Sequence, residues 1–148
     1  MASVKISPDP SASRHKIFTI LVLLSACAKA PQSTPATNSA VYAAFESGTS
    51  RVEVSATGIV TRTMGMRTGR SGTHEGFLMQ ADGKRGLVLR VEDNVDITGP
   101  IPLRNGQHVI VRGEYEYYPR GGVIHWTHHD PAGRHENGYV EVAGKRYQ

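Results

Sequence analysis

Asn105-Gly106-Gln107-His108-Val109-Ile110-Val111-Arg112-Gly113 (NGQHVIVRG, residues 105–113) is the stretch whose reading decides the fold. A turn-forming Asn-Gly pair passes directly into strict alternation. Continued to Tyr117, it puts Val109, Val111, Gly113, Tyr115 and Tyr117 on one face. His108, Ile110, Arg112, Glu114 and Glu116 fall on the other. Period two over ten residues, with one apolar face, predicts a strand of a half-buried sheet rather than a helix.

Strand signals continue on both sides. Upstream, residues 52–60 alternate, with Gly58 marking a bulge or tight bend. Residues 63–73 (TMGMRTGRSGT) read as a Gly-rich basic loop carrying Arg67 and Arg70. Residues 74–80 predict a second strand, residues 81–84 (ADGK) a hairpin turn, and residues 85–91 (RGLVLRV) a third strand. Residues 92–102 carry no helical period and read as a connection whose acidic start, Glu92 to Asp96, is a solvated turn. Downstream, residues 119–122 predict a turn, 123–127 a fifth strand, 128–137 a loop and 138–142 a short last strand. With 16 Gly in 148 residues, the chain favours short strands and turns. The expected class is all-β, a small five-stranded barrel, with a small sandwich as the alternative. Closure removes the exposed edges that such a sheet would otherwise present. Gly106-x-x-Val109-x-Val111-x-Gly113 resembles the entry to the fourth strand of OB-folds, and Gly58-x-Val60 suits that fold's first strand. The helix often found between strands three and four has no signal.

The N-terminal part reads differently. Lys5, Arg14 and Lys16 precede the apolar run at residues 17–24 (IFTILVLL), then Ser25, Ala26 and Cys27. Eight residues fall well short of the roughly 20 needed to span a bilayer, so this is a cleaved secretory signal. Leu24-Ser25-Ala26-Cys27 resembles the lipobox of bacterial lipoproteins, which implies a signal peptide over 1–26 and lipidation of Cys27, the single cysteine. Residues 27–49 then form the lipidated tether, with a short helix over 40–46 capped by Ser39 and closed by Gly48. Residues 50–148 form the barrel. The expected location is outside the cytoplasm, on a lipid anchor facing the periplasm; Ala28 after the cysteine points to the outer membrane by analogy. The totals of 17 basic and 13 acidic residues include three basic and one acidic before Ala28. Without them 14 and 12 remain, a formal +2, so net charge is weak support for nucleic-acid binding.

Four of the seven histidines lie in residues 121–135 (GGVIHWTHHDPAGRH), with the only Trp. Gly113-Glu114-Tyr115, residues 121–131, Gly133-Arg134-His135 and the terminal GKRYQ resemble the bacterial domain-of-unknown-function family 3465. The resemblance spans about residues 50–148 and extends upstream to His74-x-x-Phe77 and Asn94-Val95-Asp96-Ile97. Upstream the sequence departs from it, with Glu75-Gly76 after His74 and a basic loop before it. The resemblance implies no activity.

Three readings of the histidine cluster follow. A metal site would use His125, His128, His129, Asp130 and His135, with zinc as the candidate cofactor. In an extended strand His125 and His129 would stand roughly 13 Å apart, so the chain must bend near Thr127. A structural reading has Trp126 filling the barrel end, Glu114 partnering His125, Asp130 capping the next turn, and Arg134 pairing with Glu114, Glu116 or Asp96. A ligand face would combine Arg67, Arg70, His74, Tyr117, Arg120, His125 and Trp126, basic and aromatic groups suited to phosphate or single-stranded nucleic acid. The catalytic candidates are His129 as general base beside Asp130. The expected role is a noncatalytic binding module for an envelope ligand. The alternatives are a metal-dependent, phosphodiesterase-like hydrolase and a purely structural envelope protein.

Overall fold

The computed structural model describes residues 1–2, 37–83 and 86–148. The folded unit is Thr34–Gln148. The expected signal peptide, beyond its first two residues, and Cys27 lie outside the described residues.

The unit begins with helix α1, Ser39–Ser47. Its N-cap is Asn38, not Ser39. The Asn38 side chain leaves the helix end uncapped and instead bonds the Thr57 amide and carbonyl and the Asp82 carbonyl, at 2.7–2.9 Å. This ties α1 to the barrel. Gly48 closes the helix as expected.

Seven strands follow in one sheet: β1 Val52–Gly69, β2 Gly72–Ala81, β3 Val88–Asn94, β4 His108–Glu116, β5 Val123–His125, β6 Tyr139–Val142 and β7 Lys145–Tyr147. A one-turn helix, α2 Val95–Thr98, sits between β3 and β4, where no helix was expected. The order β1-β2-β3-β5-β4 closes on itself because β1 also pairs with β4. Gly58 and Ile59 are the hinge of that closure, facing Ala81 and Gln80 on one side and Val109 and His108 on the other. A Cβ on Gly58 would stand 2.2 Å from the Gln80 carbonyl oxygen, so close strand approach is what this glycine provides. β3 and β5 are parallel, with Arg90 opposite Val123; every other pairing is antiparallel. This closed five-strand ring is the OB-fold barrel. The β6–β7 hairpin extends the sheet along β4, and β7 arises from the tail that carried no strand signal.

Alternation of β4 is as read: Val109, Val111 and Tyr115 are at most 1 % exposed. They meet Phe77, Met79, Leu89, Val91, Ile124 and Val140, all fully buried. Burial of each such side chain contributes about 1.5–3 kcal/mol.

Three boundaries depart from the sequence reading. The basic stretch 63–73 is not a loop: β1 and β2 run through it as a hairpin, turning at Arg70 and Ser71. β3 starts three residues later than expected and continues through Glu92, Asp93 and Asn94, so the acidic stretch is partly strand. β5 stops at His125 rather than Thr127.

Candidate functional site

The path of the histidine motif is set at Trp126. Its φ of 55° is left-handed, rare for a bulky residue, and it ends β5. Trp126 is left 36 % exposed instead of filling the barrel end, while Thr127 and His128 turn inward. Trp126 lies among three imidazoles, with ring centroids 5.4 Å from His125, 6.0 Å from His128 and 4.5 Å from His135.

Below this turn is a buried carboxyl. Asp93 is fully enclosed on the inward face of β3, not solvated as its sequence context suggested. It accepts hydrogen bonds from the Thr127 hydroxyl at 2.7 Å and from Thr98. Burial pushes its carboxyl above the usual range, while those two hydroxyls and the nearby His128 and His74 pull it back. Asp130 is the opposite case. Its oxygens accept from the amides of Ala132, Arg134 and His135. Burial raises its carboxyl, but the three amides outweigh that and hold it at about 2. Asp130 thus caps the following turn as expected. Arg134 approaches Asp130 itself at 3.9 Å, rather than Glu114, Glu116 or Asp96.

The five candidate metal ligands do not meet at one point. The His128 ring donates to the His129 carbonyl and the His135 ring to the Glu136 carbonyl, both at 2.7 Å. His129 is exposed, its Nδ1 lying 3.2 Å from the Asn137 side-chain oxygen. Of the two catalytic candidates, Asp130 is engaged by backbone amides and His129 by Asn137, so neither orients the other. His135 Nε2 lies 3.8 Å from Asp130, with no third donor. Among the described residues the set that does converge is Glu114, Glu116 and His125, with one ligand atom from each within 4.8 Å of the others. Glu114 faces His125 across the β4–β5 ladder, at 3.5 Å from Nε2. Burial holds the His125 ring below its usual pKa, against the pull of Glu114 and Glu116.

Three adjoining cavities run along the outer face of β2, β3 and β5. One of about 280 Å³ is lined by His74, Asn94, His125, Trp126 and His128, among others. A second of about 460 Å³ shares His74 and His125 with it and adds Glu116 and Val123. A third of about 560 Å³ starts at Val123 and continues over Leu78, Val88 and Arg90 to Tyr118 and Arg120 in the β4–β5 turn. His74, Arg120, His125 and Trp126 therefore line one strip. Arg67 and Arg70 are exposed on the β1–β2 hairpin and line none of the three. Tyr117 points away, packing on Phe45 of α1 with ring centroids 5.9 Å apart. Its neighbour Tyr118 takes the cavity wall, with the Arg120 guanidinium 5.7 Å from its ring centre. Arg90 and Glu92, paired with each other, were not among the site residues expected from the sequence, where Glu92 read as part of a solvated turn. Their signal was the two-residue spacing Val88, Arg90, Glu92, Asn94, which a strand ended at Val91 conceals.

The sequence profile of a family of proteins of unknown function, DUF3465, matches residues 20–148. The chain belongs to this family. No curated protein matches it. Among solved structures, a small single-stranded DNA-binding protein from Streptomyces coelicolor is similar at 15 % identity and a TM-score of 0.45, covering 62 % of this chain and 91 % of that one. In this DUF3465 member the histidine motif is divided: Thr127 and Asp130 are buried away from the cavities, His125 and Trp126 line them, and His128, itself buried, reaches the edge of the smallest one.

Proposed function

We propose that this DUF3465 chain is a noncatalytic binding module of the cell envelope, lipid-anchored at Cys27, whose ligand lies across the outer face of β2, β3 and β5. The observation that carries the reading is the make-up of the strip. Leu78, Val88 and Val123 give an apolar floor, Tyr118 and Trp126 stand at its two ends, and Arg120 supplies a cation. A few polar groups converging on an apolar concavity are the usual composition of a ligand site. Ring stacking with a nearby cation suits a ligand carrying flat rings and an anionic group, of which a single-stranded oligonucleotide is the first probe.

Trp126 is the only tryptophan, so it reports on the face directly. Titration of the full chain with oligothymidylate is expected to change its fluorescence saturably. Stacking on one aromatic is worth about 1–3 kcal/mol, so Tyr118→Ala should weaken binding by roughly 5- to 150-fold. No saturable change, together with phosphodiester hydrolysis that stops on adding a chelator, would overturn the reading in favour of the hydrolase. The anchor has its own test: palmitate labelling in a bacterial host, expected with the native chain and lost in Cys27→Ser. Its support is the Leu24-Ser25-Ala26-Cys27 sequence after the apolar run.

A further inference from the structure

We propose that Glu114, Glu116 and His125 form a binding site for a divalent transition-metal ion, separate from the His128–His129 part of the motif. The register of the sheet builds it. Glu114 and Glu116 are two apart on β4 and so project from the same face. His125, the last residue of β5, lies directly opposite Glu114. The three donor atoms lie within 4.8 Å of one another. Ligands about 2 Å from a shared ion stand roughly 3–4 Å apart, so small side-chain adjustments close the site.

Two further observations point to a ligand there. His125 Nε2 is inaccessible to solvent and has no hydrogen-bond partner; even Glu114, at 3.5 Å, is outside hydrogen-bond geometry. Buried polar atoms are almost always satisfied, and a cation would satisfy this one. Apart from His125 itself, the two carboxylates also face each other without a basic partner. Among the described residues, Arg112 pairs with Glu136 and Arg90 with Glu92, and no Lys or Arg pairs with Glu114 or Glu116. Trp126, packed 5.4 Å from the His125 ring, limits its rotation.

One imidazole nitrogen and two carboxylate oxygens, with no thiolate, suit zinc, cobalt(II) or manganese(II). Three protein ligands leave coordination positions open, and the 460 Å³ cavity that Glu116 and His125 line lies beside them. The site therefore binds a metal that keeps exchangeable positions towards that cavity.

The test uses the full chain without a histidine tag, stripped of metal and titrated with zinc chloride by calorimetry and with cobalt(II) by visible absorption. One equivalent of zinc is expected, with cobalt bands of a four- or five-coordinate centre. Glu116→Gln and His125→Ala should each weaken zinc at least roughly tenfold, while His129→Ala leaves it unchanged; circular dichroism of the metal-free variants checks their fold. Absence of stoichiometric binding by the native chain overturns the site whatever the variants do. So does zinc that persists in His125→Ala and is lost in His129→Ala. Oligothymidylate titration in a chelator reads the binding face without metal, so the two proposals fail separately.

Discussion

Thr127→Val tests whether the inward turn after Trp126 exists to serve Asp93. Valine keeps the shape of threonine but puts a methyl where the hydroxyl donates to the buried Asp93 carboxyl at 2.7 Å. A hydrogen bond to a charged group contributes about 1.5–3 kcal/mol, and Thr127 is itself fully buried, so water cannot replace it. The expected loss at neutral pH is about 2 kcal/mol. At roughly 4 °C per kcal/mol for a domain slightly above 100 residues, the thermal midpoint should fall by about 8 °C.

The pH dependence makes the test specific. Burial raises the Asp93 carboxyl, with Thr98 and Thr127 opposing the rise. A carboxyl whose folded value is raised costs stability when ionised at neutral pH, and that cost disappears as pH falls below its unfolded value of 3.8. Losing Thr127 raises the folded value further, so the penalty is largest above the raised folded value and shrinks towards about pH 4. The assay is thermal unfolding by circular dichroism of both proteins across that range, read as the difference between them. A penalty that does not change with pH, or one below about 0.5 kcal/mol, would refute the reasoning.

Three further outcomes follow from the same geometry. In Gly113→Ala the added Cβ would stand 2.3 Å from the His125 carbonyl oxygen and 3.1 Å from the Ile124 and Thr127 methyls; overpacking of this kind costs about 1–3 kcal/mol, measured by urea unfolding. Tyr115→Phe removes the buried hydroxyl that donates to the Gly121 carbonyl at 3.0 Å, and should cost about 1 kcal/mol in the same assay. Asp130 has a depressed carboxyl, at about 2, so the stability it lends is present above its usual 3.8 and lost as pH falls towards 2; Asp130→Asn should flatten the acid limb of the stability profile in that window.

The strands with one dry face were legible because they carry the alternation that burial imposes. β4 is the clearest, its buried positions falling on Val109, Val111, Gly113 and Tyr115. The far half of β1 was illegible for the converse reason. Beyond Val60 it leaves the barrel with nearly every residue exposed, so no apolar period marks it. β3 was misplaced because an inward carboxylate at Asp93 looks like a turn residue until its partner Thr127, 34 positions away, is in view.

The candidate site was legible as a set of residue types and not as an arrangement, and the reason is a single torsion. Had β5 kept its alternation, Trp126 would point into the barrel and Thr127 out of it, leaving Asp93 with Thr98 alone as its side-chain donor. A left-handed non-glycine residue costs about 1–3 kcal/mol, and nothing in the sequence announces it. The Thr127–Asp93 bond and the packing of Trp126 on His125 and His135 are of the size needed to offset that, with about 0.5–1.5 kcal/mol for each good ring contact. The same torsion therefore links the core to the surface. It places the hydroxyl on the buried acid and, in the same step, leaves Trp126 over the His125 ring at the edge of the cavity. A substitution that loosens the core pair should accordingly change the fluorescence of Trp126 before the barrel unfolds, whereas one confined to the exposed His129 should leave it unchanged.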